Sequence, residues 1–446
     1  MKIIATSKTL STLVATAILA ASTLASNAQQ AGPALDMTPV HAESVGFSPE
    51  RLENLHALMQ KAVDEKQVAG VVTILARHGK VVDYRTYGRR DLAGGPPMSK
   101  DTIFRDYSMT KPVTGVAMMI LYEQGKWLPS DPIAKFIPEF AHLKVFDGTD
   151  ADGKPILVDP DHAPTMHELM SHTAGFTYGS FGASPVDKMY QQVRPLESAS
   201  LKEFIDKMAT LPLLFQPGKG WNYSVSMDIE GYIVEKLSGQ TLPDFYRDHI
   251  FKPLGMKDAG FFVPADKVNR LAALYTMGSD SLLVAKTTGG PYLPPSFTLL
   301  PTMPSGGGGM VSTAEDYYRF ASMLLGQGQL GGTRILAPAT VKLMTSNHLH
   351  PDLLTGKYRI GLQVMRPGFG YGYNGAVEFD PAEANLPDGK GTYLWDGAAG
   401  TWFWVDPSND VVFIGMIQRM GNGPDTTNLQ YESRAVVYGA LVDPVK

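Results

Sequence analysis

The sequence predicts an α+β fold: one antiparallel sheet built from both chain ends and flanked by helices, with a mainly helical subdomain inserted at about residues 125–300. Three observations point there. Strand-like apolar runs gather near residues 69–87 and 393–417, the stretch between them carries helical patterning, and no linker-like composition divides the chain. In chain order, Ser48-Pro49 has the form of an N-cap followed by proline at the first helical position. Leu52, Leu55, Leu58 and Met59 then follow at helical spacing. Ala69 to Ala76 is rich in β-branched residues, His78-Gly79 is a turn pair, and Val81 to Tyr87 alternates, so this region is expected to form a β-hairpin. Val113 to Gln124 is an apolar helical stretch stopped by Gly125, and further helices are expected at Met227 to Leu237 and Ala314 to Leu325. Pro- and Gly-containing stretches near 145–165, 177–187 and 286–309 read as connections. Tyr393 to Trp395, Thr401 to Val405 and Val411 to Ile417 are short strands separated by turn formers, and a helix over about Gln430 to Leu441 closes the chain.

Composition narrows the function. The chain has 446 residues, 44% hydrophobic and 19% charged, with a formal net charge of −5 and no cysteine. Disulfides, thiolate metal sites, iron–sulfur clusters and a cysteine nucleophile are therefore excluded, and the absence of basic blocks argues against a nucleic-acid partner. Lys2 and Lys8 precede an uncharged apolar run from Leu10 to Ala21, too short to span a bilayer comfortably. Ser26 and Ala28 follow as small residues before a cleavage point. Residues 1–28 thus read as a secretory signal, residues 29–446 as a single domain, and the destination as the periplasm or outside the cell, with no membrane span after cleavage.

Three segments can carry chemistry. In Ser108-Met109-Thr110-Lys111-Pro112, proline is tolerated only in the first helical turn, so the helix starts within a few residues of Ser108. Three residues advance about 300° around a helix, which leaves the Ser108 and Lys111 side chains about 60° apart on one face. Burial and the positive end of the helix both lower an ammonium pKa, so Lys111 can accept the serine proton, and the serine's own N–H can help hold an oxyanion. Taken alone, the spacing also fits Ser108 as a plain N-cap with an exposed lysine. Tyr223 lies at a loop-to-helix junction from which a phenol can relay a proton, or simply pack under the loop. Trp395-Asp396-Gly397-Ala398-Ala399-Gly400 joins a strand edge to a glycine-rich turn, where Ala398 N–H can serve as a second oxyanion donor or merely belong to a hairpin turn. The tetraglycine 306–309 lacks the Lys-Ser/Thr ending of a phosphate loop and reads as a tight approach of backbone to a neighbour.

Together and in this order, these segments resemble the serine β-lactamase superfamily, in particular class C β-lactamases and the related family VIII carboxylesterases. The similarity extends over about residues 45–440 and includes Leu169 to Gly175, Ile250 to Met256 and Gly308 to Thr313. The resemblance implies a β-lactamase/transpeptidase-like fold, acylation of Ser108, proton handling by Lys111 and Tyr223, and an oxyanion hole formed by the N–H groups of Ser108 and Ala398. Two departures bear on substrate. Class C enzymes have Asn two residues after the tyrosine and a K-T-G box, where this chain has Val225 and Trp395-Asp396-Gly397. Without that lysine an anionic substrate loses its grip. The box resembles W-x-G of family VIII esterases, and an indole floor suits neutral, partly apolar groups. Asp396 repels anions where it faces the cleft.

Other chemistries fit less well. No G-x-S-x-G elbow occurs, since Gly179-Ser180-Phe181-Gly182 has the wrong spacing. His167 and His172, five apart, point about 140° away from each other on a helix and would not share a metal. His172 reads as a hydrogen-bonded structural residue, and Met118 and Met119 as core. The expectation is a serine hydrolase acting on a small-molecule ester with a short acyl chain, with Trp395, Asp396 and Gly397 lining the substrate and no metal or organic cofactor. The alternatives are a β-lactamase or a D-amino-acid amidase or carboxypeptidase using the same groups, and a catalytically silent ligand-binding protein. Nothing in the chain specifies an oligomeric state.

Overall fold

The structure, a computed structural model, describes residues 34–278, 283–286, 296–354, 367–421 and 427–443. The signal assigned to residues 1–28 lies outside the described residues. Seven antiparallel strands form the main sheet, in the spatial order Phe369–Tyr371, Ala376–Glu378, Thr392–Asp396, Trp402–Asp406, Val411–Met416, Gly70–Arg77 and Lys80–Gly88. The two chain ends meet between its fifth and sixth strands, where Val72 pairs with Met416 and Ile74 with Ile414. The expected hairpin is present, with His78-Gly79 at its tip and a register irregularity between Leu75 and Ala76.

Both faces of the sheet are covered. Phe403 meets Tyr317 of the Ala314–Leu325 helix, whereas the adjacent Trp404 stacks on Tyr438 of the closing helix, Leu429–Ala440. Successive strand residues point to opposite faces, so this pair places one helix on each side. The Pro49–Asp64 helix packs beside the closing helix, its first turn capped by Ser48 Oγ, which accepts from the Arg51 N–H, with Pro49 at the first position.

Two expectations need correction. Part of residues 145–165 is a two-stranded hairpin, Val145–Thr149 with Pro155–Val158, rather than a plain connection. Gly153 adopts φ +78 in its turn, and Ile156 and Leu157 remain exposed, so neither alternation nor burial marked it. The strands Phe369–Tyr371 and Ala376–Glu378 were not expected at all. Each is three residues long and buried throughout, which leaves no period to detect. Of the 286–309 connection, residues 287–295 lie outside the described residues.

Between the first hairpin and the last strands run the helices that carry the site. The Thr110–Glu123 helix is buried over twelve consecutive residues, Met118 and Met119 included, and packs against the Ser226–Ser238 helix. Among the described residues no helix is long and apolar enough to cross a membrane.

Candidate active site

A short strand places the serine. Phe104 and Arg105 pair with Ser312 and Val311, the Asp106 N–H donates to Met310 O at 3.0 Å, and Tyr317 OH donates to Met109 O at 2.9 Å. Between these ties Tyr107 takes φ +46, a left-handed conformation that a tyrosine adopts only when its surroundings impose it. A turn over Tyr107–Met109 leads into the Thr110–Glu123 helix, with Pro112 in its first turn. Ser108 is half-buried, and Lys111 Nζ donates to its Oγ at 3.1 Å. The open choice between capping serine and paired serine is thereby decided on geometry: Ser108 does not cap the helix through its side chain, and Lys111 is fully buried.

Lys111 Nζ also donates to Gly307 O at 2.6 Å and lies 4.6 Å from the centre of the Tyr223 ring and 5.4 Å from that of Tyr178. Burial pulls its pKa down from 10.5 to about 7, against the opposing pull of Asp228, Asp396 and Glu230. At neutral pH the amine is therefore available as a base. Tyr223 is driven the other way. Burial pushes its phenol well up, only partly opposed by hydrogen bonds to Ser108 and Trp395, so the phenol keeps its proton until a partner takes it.

The tyrosine is placed by the loop before the Ser226–Ser238 helix. The Asn222 N–H donates to His172 O at 3.0 Å and Asn222 Nδ2 to Phe176 O at 3.0 Å, while His172 Nδ1 pairs with Ser224 Oγ at 3.0 Å. His172 is thus the structural residue expected, its ring 5.0 Å from that of Tyr223. His167 instead meets Tyr373 OH at 3.1 Å. Val225 is buried and offers the cleft no polar group.

The third segment closes the site. Trp395 pairs with Phe403 across the sheet, its ring lies 5.4 Å from Tyr223, and its indole N–H donates to the Tyr223 hydroxyl at 3.4 Å. Gly397 is required where it stands, because a Cβ there would sit 2.2 Å from Asp106 O. Its N–H donates to Thr401 O, Gly400 N–H donates back to Gly397 O, and Thr401 Oγ1 donates to Asp106 O, which docks the turn beside the nucleophile. Neither turn bond uses the N–H of Ala398, an exposed residue between buried neighbours. Asp396, half-buried, bonds the Gln430 side chain, and burial raises its carboxyl to about 6.

Sequence reasoning missed Asp228, Gly307, Tyr178 and Phe181. Gly307 does belong to the tetraglycine, and that segment is the tight approach expected: a Cβ on Gly306 would lie 2.3 Å from Met227 O. Phe181, 58% exposed, stands 5.6 Å from the Tyr178 ring and 6.0 Å from that of Tyr223. Among the described residues no group of three or more His, Asp or Glu is placed to hold a metal ion.

This geometry has counterparts. The family model described as Beta-lactamase matches residues 55–437. The chain belongs to the beta-lactamase family. Within the family it is 35% identical over 396 residues to Protein Rv1367c of Mycobacterium tuberculosis, covering 87% of this chain and 94% of that one. It is 32% identical over 395 residues to Esterase EstB of Burkholderia gladioli, covering 83% and 92%. Among solved structures, EstCE1, described as a hydrolase with promiscuous acyltransferase activity, superposes with a TM-score of 0.72 at 28% identity, covering 87% of this chain and 98% of that one. The α+β fold read from the sequence is the fold of this family.

Proposed function

We propose that the protein is a serine hydrolase that cleaves carboxylic esters through an acyl-enzyme on Ser108. One observation carries the reading: a fully buried amine with its pKa near 7 lies 3.1 Å from the serine hydroxyl. In this scheme neutral Lys111 takes the Ser108 proton as Oγ attacks the ester carbonyl. Tyr223 passes a proton to the departing alkoxide and recovers one from Lys111. The N–H groups of Ser108 and Ala398 hold the oxyanion, each such donor typically being worth ~10²–10³ in rate. Water then attacks the acyl-enzyme by the same groups in reverse.

Esters are favoured over amides and lactams because Trp395 and Val225 stand where polar drug-holding groups would be. The name of EstB and the description of EstCE1 support the same choice. The aromatic surround of Tyr178, Phe181, Tyr223 and Trp395 suits a neutral substrate with a short acyl chain. It also favours a second reading, in which an apolar alcohol seated on those rings takes the acyl group in place of water. Residues 1–28 are assigned as a secretory signal that delivers the enzyme to the periplasm or the medium, which the intact mass of the protein recovered from those fractions tests directly.

The deciding experiment is turnover of p-nitrophenyl acetate, butyrate and octanoate beside nitrocefin, by the protein and by Ser108→Ala. Ester hydrolysis lost in the variant, with little nitrocefin cleavage in either, is the expected result. Dominant nitrocefin cleavage would point to lactam chemistry instead, and activity surviving Ser108→Ala would remove the mechanism. Added butanol giving butyl ester from p-nitrophenyl butyrate would establish acyl transfer.

A further inference from the structure

The loop 305–309 that receives the Lys111 amine is clamped from two helices. From the Thr110–Glu123 helix, Thr114 Oγ1 donates to Gly306 O at 2.6 Å and Lys111 Nζ to Gly307 O at 2.6 Å. Behind Thr114, Tyr246 OH donates to its hydroxyl. From the Ser226–Ser238 helix, Asp228 Oδ1 accepts both Ser305 Oγ, at 2.5 Å, and the Gly307 N–H, at 3.1 Å. The residue whose carbonyl holds Lys111 is therefore itself held by Asp228. Glycine at 307 is what lets the carboxylate come so close, since a Cβ there would lie 2.6 Å from Asp228 Oδ2.

Asp228 is fully buried, and its Oδ2 has no hydrogen-bond partner among the described residues. Burial raises its carboxyl above the usual carboxylate range, opposed by the Ser305 hydroxyl and the Gly307 N–H on Oδ1 and by the nearby lysine amine, each of which favours the carboxylate form. We propose that Asp228 is a positioning residue for the Ser108–Lys111 pair, aiming the lysine amine through Gly307 and biasing the lysine toward its protonated form through its own charge. The inference rests on the serine-hydrolase reading above.

The other groups around Lys111 leave this role to Asp228. Ser108, Tyr223 and Tyr178 are neutral hydroxyls, and His172 is buried and kept neutral. Asn374 reaches only the Lys111 carbonyl, through Nδ2 at 3.2 Å, and its Nδ2 also holds Glu230 at 2.6 Å. Glu230 is pushed up to about 8 by burial, so it is largely uncharged at neutral pH. Asp396, at about 6, is mostly charged at neutral pH and also favours the protonated lysine, but its carboxylate bonds the Gln430 side chain and not the Gly307 loop, so it does not aim the amine.

Asp228→Asn keeps an oxygen for Ser305 and Gly307 but removes the charge. Asp228→Ala removes both. The test measures kcat and KM for p-nitrophenyl butyrate from pH 5 to 9, together with the rate at which a fluorophosphonate probe labels Ser108. In Asp228→Asn the acid limb of kcat/KM and of labelling is expected to move to lower pH by about one unit, with less than a tenfold loss at the alkaline plateau. Asp228→Ala is expected to lose at least tenfold more in kcat than Asp228→Asn, with KM changed less than threefold. Ser305→Ala, which removes one donor from the carboxylate, is expected to move the limb the same way by less, and it carries the test if an Asp228 variant fails to fold. An acid limb that stays in place in the folded variants would overturn the proposal. Absence of probe labelling in the parent protein would instead overturn the serine-hydrolase reading.

Discussion

Protonating Lys111 is expected to switch ester hydrolysis off. Burial holds this amine at about 7 where a solvated lysine titrates at 10.5, and the nearby carboxylates return only part of the difference. Because the amine must be neutral to take the Ser108 proton, kcat/KM should fall tenfold for each unit below that midpoint. At pH 5 about one molecule in a hundred carries the free base, so the rate constant should stand near 1% of its plateau above pH 8. The assay is kcat/KM for p-nitrophenyl butyrate at constant ionic strength from pH 5 to 9. Lys111→Arg, whose guanidinium keeps its proton, should be inactive throughout with no limb. A plateau persisting to pH 5 would refute the assignment of Lys111 as the base, and a rate still climbing at pH 9 toward a limb near 10 would refute the lowering of its pKa by burial. The same shift has a stability counterpart. The unfolded chain binds more protons at this lysine between about 7 and 10.5, so its penalty on folding is fully present below 7 and fades as pH rises toward 10.5.

Tyr223→Phe should lower kcat by ~10²–10⁴, the usual range for a lost proton-transfer group, whereas Trp395→Phe, which removes the long indole bond to Tyr223 and part of a buried ring packed on Tyr223 and Tyr371 but no proton-transfer group, should cost less than about tenfold. Both are read from saturation kinetics. Arg434→Met leaves Glu378 and Asp388 buried without the guanidinium that lies 3.3 and 2.9 Å from them, and should destabilise the protein by ~3–5 kcal/mol in urea unfolding at pH 7, with the deficit shrinking at lower pH as the carboxyls take up protons. Asp106 is fully buried and raised to about 8, mainly by desolvation. The stability it contributes is fully present below about 4 and is lost as pH rises through 8, at ~1.4 kcal/mol per unit. Asp106→Asn lacks this slope and should therefore gain ~3 kcal/mol on the parent between pH 5 and 7, and parallel curves would show that Asp106 does not hold its proton.

The parts of the site that could be read in advance are those that short-range geometry dictates. Ser108 and Lys111 are three apart with Pro112 fixing the helix start, so helical periodicity alone brings them together. The first hairpin was legible from its β-branched run and turn pair, and Gly397 from its place in the third box. Asp228 and Gly307 were not legible, because they are separated by 79 positions and meet only through the packing of a loop on a helix. Acidic residues such as Asp228 and Glu230 carry no sequence mark of burial, yet the first turns of their helix are wholly buried. Tyr178 and Phe181 sit in a loop without period, and only its contact with Tyr223 gives them meaning.

The pairing of Val72 with Met416 also bears on how the molecule is made. These partners lie roughly 340 positions apart in the chain, a separation that slows formation of the sheet. The first hairpin therefore has to wait for a strand from the far end of the chain before its open edge is covered. Through that interval Gly70–Arg77 presents a bare row of amides and carbonyls, the kind of edge on which other strands can pair. The finished molecule brings Val442 N–H onto Gly46 O at 2.9 Å. A circular permutant that joins the chain there and opens it in a distant surface loop would make the two halves of the sheet sequence neighbours, shortening the wait while leaving the cleft as it is.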